Sequence, residues 1–175
     1  FRFLGIYSNN LDEFFKVRVA GVRRMINLKQ KKVYGYDGTA EELYKDIRKV
    51  VLHQQELFES CYLHLTQQLI NEGIYLVDEH TITPSLTKQV SQYFKETFKH
   101  MLFPIILDKK AAFPDLRDDA IYLAIKIQKK GVANRYAILQ IPPGKARFHV
   151  MTEGKDSFFI LADDIIRLHL SNIFS

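Results

Sequence analysis

Two adjacent carboxamides, Asn9 and Asn10, stand among aromatic anchors and acids in the stretch Phe3-Leu-Gly-Ile-Tyr-Ser-Asn-Asn-Leu-Asp-Glu-Phe-Phe-Lys-Val-Arg18. They are the groups of this chain best suited to hold a ligand. An Asn amide offers two donors and two acceptor lone pairs without net charge, which suits the hydroxyls and base edge of a nucleotide and does not repel phosphate. The same residues have a purely local use. Asn9 stands three residues before Asp12 and Asn10 three before Glu13, so either Asn could cap a helix whose third residue is the matching acid. Leu11, Phe15, Val19, Val22 and Ile26 recur at steps of three or four, which predicts one buried helical face. The carboxamide pair is therefore expected at, or within one turn of, a helix start.

Other chemistries find less support. The six His residues, at 53, 64, 80, 100, 149 and 169, include no pair at i, i+4 and no clustered carboxylate partner, so neither a metal site nor a catalytic residue is assigned. His53 and His64 read as partly exposed residues on a helix surface. Cys61 falls on an apolar stripe with no basic neighbour to lower its pKa, which predicts a small buried hydrophobe and not a nucleophile. The glycines are dispersed and no G-x-x-x-x-G-K run is present, which excludes a self-contained ATPase of the phosphate-loop type. Basic residues concentrate in Lys16, Arg18, Arg23 and Arg24 and in Lys29-Gln-Lys-Lys32. Most such runs are solvated, and the functional alternative is a face turned to a polyanion or to another subunit. Asp163-Asp164 reads as a helix start favoured by the macrodipole.

The elements that must position these residues follow from period and punctuation. At 47% hydrophobic and 26% charged, the 175 residues suit a folded domain or two small ones, and no apolar run is long enough to span a bilayer. The single Cys61 excludes an internal disulfide and fits a reducing compartment, so the cytoplasm is the default expectation, with peripheral attachment at an inner membrane left open. Beginning at Phe1 inside a motif and stopping within an apolar segment, the chain is expected to be a piece of something longer. Thr39 with Glu42 makes a capping box for a helix running to about Glu72, whose apolar rows (Leu43, Val50, Leu57, Cys61 beside Ile47, Val51, Phe58, Tyr62, Leu65, Leu69) should pack against two other helices. Gly73 ends it. Ile74 to Val77 reads as an extended link, and Thr83-Pro84 opens a third helix with Leu86, Val90, Tyr93, Phe94, Thr97, Met101 and Leu102 as its buried stripe. Three helices with short connections predict an antiparallel bundle over residues 1–105. Beyond Pro104 the period changes to alternation. Residues 121–127 and 135–141 form a hairpin about Lys130–Asn134, 147–151 and 157–161 add two strands, and a helix starts at Asp163 or Asp164. The fold class is α+β: a three-helix bundle, then a small β-rich domain over 106–175 with an antiparallel sheet, cut before completion.

The wording of the first segment is specific. F-L-G-I-Y-S-N-N-L-D-E-F-F-K-V-R resembles, nearly letter for letter, the N-terminal domain of the bacterial polyphosphate kinase family, which reversibly transfers the terminal phosphate of ATP to inorganic polyphosphate. R-Y-A-I-L-Q-I-P at 135–142 and F-F-I-L-A-D-D-I-I-R-L-H-L-S-N-I-F at 158–174 are similar, more weakly, to segments of the family's following head or middle domain. The resemblance implies that Asn10, the match to the second Asn of the family's S-N-N, contacts ATP; Asn9 inherits no such role. It implies a parent enzyme that works through a phosphohistidine with Mg²⁺ and forms a homodimer or tetramer. The phosphate-accepting histidine lies in downstream catalytic domains of the same chain, so these residues alone should carry out no turnover and bind no Mg²⁺. The rival reading is a non-enzymatic helical-bundle interaction module in which S-N-N is only a cap. A nucleic-acid binder, resting on the net charge of +5 alone, comes last and is not expected.

Overall fold

The computed structural model describes residues 1–29, 33–108, 110–129 and 131–174. Most of the Lys29–Lys32 run and Lys130 of the expected hairpin turn lie outside the described residues. The chain divides into two compact units, Phe1–Glu72 and Gly73–Ser175.

The first unit is a helical hairpin. Helix α1 spans Arg2–Phe14 and leads through a single π turn, Phe15–Val19, into α2, Ala20–Asn27. Backbone torsions stay right-handed helical at both junctions, so the three run on without a break. Asn9 and Asn10 therefore lie inside a helix and cap nothing, contrary to the expected start near Leu11. Their neighbours Phe3, Leu4, Ile6 and Tyr7 already sustain a helical apolar pattern N-terminal to them, and that pattern outweighs the local capping preference. The π turn holds one more residue than an α turn and shifts the apolar register. Val19 and Val22 are buried as the spacing predicts, but Phe14 rather than Phe15 takes the partly buried position one turn earlier.

Helix α3, Ala40–Asn71, begins where the sequence requires. The Thr39 hydroxyl accepts from Glu42 N–H at 3.2 Å while the Glu42 carboxylate accepts from Thr39 N–H at 2.8 Å, bonds that hold the Glu42 pKa below its ordinary value. Helix α2 packs against α3, and Val19, Val22 and Ala40 are buried in this part of the unit. Along α3, however, only Ala40 and Val51 are buried. Val50, Leu57 and Leu63 stay more than half exposed, and Cys61 is exposed as well, so the expectation of a buried thiol fails. The reason is that the third helix of the expected bundle belongs elsewhere.

That helix, α4 at Pro84–Thr97, is capped by Thr83 with Pro84 in its first turn, and its stripe Leu86, Val90 and Phe94 is buried in the second unit. The compact division thus lies after Glu72 and not after residue 105. Leu86, Val90, Phe94 and Leu102 of the expected stripe are buried, Phe98 joins them unforeseen, and Tyr93, Thr97 and Met101 are only partly covered; periodicity does not say which partner covers a stripe, and here the partners are the sheets and α5. Strand β1, Ile74–Val77, is the segment read as a link. It pairs in parallel with β6, Asp156–Leu161, which also pairs antiparallel with β5, Phe148–Glu153. A second, fully antiparallel sheet has the order β2-β4-β3, with β2 at Ile105–Leu107, β3 at Tyr122–Ile127 and β4 at Arg135–Gln140, the last two being the expected hairpin. Helices α5, Ala162–Leu168, and α6, Leu170–Ile173, follow β6 directly. Leu86, Val90, Phe94, Phe98, Leu139, Met151, Ile160, Ile165 and Ile166 make one core from α4, both sheets and α5. The fold is mixed α+β, a helical region followed by small sheets, although β1 makes one of those sheets mixed.

Gly73 joins α3 to β1 at φ +69°, and a β-carbon there would meet an Asp156 carboxylate oxygen at 2.7 Å. Its carbonyl accepts from Ser157 N–H at 2.8 Å, so the backbone cannot easily withdraw. Gly73→Ala is expected to cost about 1–2 kcal/mol in left-handed strain and crowding, read as a lower urea midpoint. An unchanged midpoint would show that the junction relaxes freely.

Candidate functional site

Asn10 sits on the wall of a cleft of about 540 Å³ within the first unit. Helix α1 supplies Tyr7, Asn10, Leu11 and Phe14, which recur at three or four residues and so share one face, and α3 supplies Leu43, Asp46, Ile47, Val50, Val51 and Gln54 by the same rule. Six of these ten side chains are aliphatic or phenyl, and the other four place hydrogen-bonding groups around them. The Tyr7 hydroxyl donates to Gln54 Oε1 at 3.3 Å, and the Tyr7 ring lies 5.6 Å from Phe58. Asp46 accepts from the Tyr36 hydroxyl at 2.6 Å, a bond that pushes the Tyr36 phenol up to about 12. The bond holds the Asp46 carboxyl group in orientation. Among the described residues the Asn10 carboxamide has no hydrogen-bond partner, and it is exposed, so both its donors and its acceptor are available.

Chemically the cleft offers apolar and hydrogen-bonding contacts. An apolar slot edged by an amide, a phenol, a carboxylate and a second amide suits a flat heterocycle with polar edges. No cation lines this cleft, so it holds no phosphate by charge. It brings together no nucleophile with a base and no pair of oxyanion donors, and hence no transferring machinery. Among the described residues no group of three His, Cys, Asp or Glu is placed to hold a metal ion, and no helix is long and apolar enough to cross a membrane.

The structure separates the other sequence candidates. Asn9 does not line the cleft. Lys16 pairs with Asp12 at 2.7 Å one turn below and, with Arg23 and Arg24, lines a neighbouring recess. His53 and His64 are exposed on α3, as read from the sequence, and His53 lies 3.6 Å from Glu56. Tyr7, Asp46 and Gln54 were missed as companions of Asn10. Tyr7 was findable three residues before Asn10 on the same helical face; Asp46 and Gln54 become neighbours only through the packing of α3.

Two polar clusters in the second unit are structural by their surroundings. His169 is 6% exposed, stacks on Phe94 at 4.2 Å, and its Nδ1 donates to the Ile165 carbonyl at 2.8 Å. Because a carbonyl only accepts, Nδ1 carries a proton; Nε2 lies 2.9 Å from the Ser91 hydroxyl, which can donate to it in the neutral ring. This hydroxyl–imidazole pair ties α4 to the C-terminal end of α5 inside a core. Asp164, 4% exposed, accepts from Arg167, which also forks onto Glu79 at 2.6 and 3.2 Å. Burial above all, reinforced by Asp163 and Glu79 against the opposing pull of Arg167, raises the Asp164 carboxyl to about 6.

Comparison with known proteins assigns the two parts of the chain separately. The family model described as the polyphosphate kinase N-terminal domain matches residues 1–77, and the polyphosphate kinase middle domain matches residues 86–175. The polyphosphate kinase of Yersinia pestis is 36% identical over 178 residues, covering 99% of this chain and 26% of its own. That of Vibrio parahaemolyticus is 34% identical over 178 residues, covering 99% and 25%. A crystal structure of polyphosphate kinase from Porphyromonas gingivalis is similar at a TM-score of 0.83 and 26% identity, over 98% of this chain and 26% of that one. The chain spans about a quarter of the length of the relatives it matches.

Proposed function

The chain belongs to the polyphosphate kinase family, and from that premise we propose that it is the nucleotide-facing N-terminal part of an enzyme that reversibly transfers the terminal phosphate of ATP to inorganic polyphosphate. In this reading the cleft of the first unit receives the base and ribose of ATP, with Asn10 as a direct contact. The observation that carries it is the Asn10 carboxamide, exposed and without a partner among the described residues, on the wall of an apolar slot in the S-N-N motif. Leu11, Phe14, Ile47 and Val51 offer apolar contact to a purine, while Asp46 accepts from an exocyclic amine. The catalytic histidine lies in further domains of the parent enzyme. In the same reading the Mg²⁺ of the parent enzyme is held there too, since this cleft offers a single carboxylate, which also accepts from Tyr36.

The exposed apolar side chains Val50, Leu57 and Leu63 on α3 support a second duty for the same unit, packing against other domains or a second subunit of a homo-oligomer. A cytoplasmic setting is part of the same proposal.

The test is Asn10→Ala in the full-length enzyme. Its apparent KM for ATP is expected to rise about tenfold, the loss of one hydrogen bond of about 1–1.5 kcal/mol, with circular dichroism and the urea midpoint unchanged. ATP kinetics identical to wild type would remove Asn10 from the site.

A further inference from the structure

Below the Asn10 cleft the same hairpin carries a second recess of different chemistry, about 590 Å³ in volume, lined by Phe15, Lys16, Val19, Ala20, Arg23, Arg24, Asn27 and Tyr44. Resting on the reading of the chain as part of a polyphosphate kinase, we propose that this recess is an oligophosphate subsite that grips a run of linked phosphates between α2 and the start of α3.

Three features carry the assignment. The lining is entirely cationic or neutral: Lys16, Arg23 and Arg24 face into it with the Asn27 amide and the Tyr44 hydroxyl, and no acid does. Among the described residues Arg23 and Arg24 have no carboxylate or hydrogen-bond partner, and both are exposed. Arginines left unpaired in a concave site offer planar donor forks that match phosphate oxygens. The spacing is also special. Phe15, Val19, Arg23 and Asn27 recur at steps of four, as do Lys16, Ala20 and Arg24. At about 3.6 residues per turn a plain α-helix would rotate such columns away from a fixed neighbour. The π turn at Phe15–Val19 takes up the extra residue, so both columns stay turned toward Tyr44. Ala20 leaves the middle of the recess open between Lys16 and Arg24.

The volume, about 590 Å³, lies within the roughly 300–1,000 Å³ of small-ligand sites and has room for several linked phosphates. Such a chain has two sources, the triphosphate tail of a nucleotide and inorganic polyphosphate.

The experiment compares full-length wild-type enzyme with Arg23→Gln/Arg24→Gln and Arg23→Lys/Arg24→Lys, measuring the anisotropy of fluorescently labelled inorganic polyphosphate and, separately, calorimetric ATP binding. The Gln pair is expected to weaken polyphosphate binding by about tenfold or more and to flatten its salt dependence, while the Lys pair, which keeps the charge but loses the fork, falls between it and wild type and keeps the salt dependence. Both arginines are exposed, so folding should survive; Arg24→Gln alone, with an expected loss of about threefold, gives the same reading at lower risk. Loss of polyphosphate binding with ATP affinity intact identifies the polymer as occupant, and loss of ATP affinity alone identifies the triphosphate. Wild-type affinity for both ligands in the Gln variants overturns the subsite and leaves the family reading standing. So does a defect confined to a single-stranded oligonucleotide, which would make the recess a nucleic-acid contact. A wild-type enzyme that binds neither ATP nor polyphosphate would instead bring down the function on which the subsite rests.

Discussion

Phe94→Ala is expected to lower the unfolding free energy of the protein by about 3–5 kcal/mol, the cost of deleting a fully buried phenyl ring and leaving a cavity. Phe94 is 1% exposed in the middle of α4, among Leu86, Val90, Phe98 and the sheet residues Leu139 and Ile160. Its ring also lies parallel to His169, at 7°, so the substitution removes one wall of the imidazole that links α4 to α5 through Ser91. Urea unfolding followed by circular dichroism measures the effect. A loss under about 1 kcal/mol, the range of a surface change, would mean that α4 does not belong to the core of the second unit and would restore the division of the chain after residue 105.

Asp164→Asn is expected to change the pH dependence of stability rather than only its level. The Asp164 carboxyl is raised from its ordinary value to about 6, chiefly by burial. A group that holds its proton more tightly when folded contributes stability below its unfolded pKa of about 4, and that contribution is lost as pH rises through about 6. At about 1.4 kcal/mol per pH unit the loss between pH 4 and pH 7 is on the order of 2–3 kcal/mol. Asn carries no such proton, yet its carbonyl can accept from Arg167 and its amide can donate toward Glu79. The variant should therefore gain about 2–3 kcal/mol on the wild type between pH 4 and pH 7. Taking the difference matters, because His149, lowered by burial, acts oppositely and loses stability as pH falls below about 6.5 in both proteins. Parallel curves for the two proteins would show that Asp164 is ionised throughout.

What the sequence disclosed, and what it withheld, follows the range of the interactions involved. The Thr39–Glu42 box and the Thr83-Pro84 start are complete within a few residues, and both helices begin there. The hairpin of β3 and β4 depends on alternation and a nearby turn, and it too was legible. Residues 74–77 carry the apolar content of a strand, but their partner is Ser157 to Ile160, far along the chain, and a four-residue run cannot announce a parallel neighbour at that distance. The π turn left no mark in a pattern tested against α periodicity, so Phe14 and Phe15 were exchanged. For the candidate site, Asn10 was singled out by motif and chemistry before any geometry. The cleft around it was not legible, since Asp46 and Gln54 join it only through the packing of α3. Arg23 and Arg24 were noted as charge without a common stripe, because the stripe exists only once the helix is underwound.

The parallel pairing of β1 with β6 also sets an order of events during synthesis. The pairings of the first unit join helices that follow one another in the chain, so they can form as those residues leave the ribosome. The second unit cannot close in that way, because Ile74 must wait for Ser157, roughly eighty residues later, and such a long-range pairing forms slowly. Until β6 and α5 arrive, Leu86, Val90 and Phe94 of α4 lack part of their cover, and incompletely covered apolar side chains of this kind favour aggregation of a nascent chain.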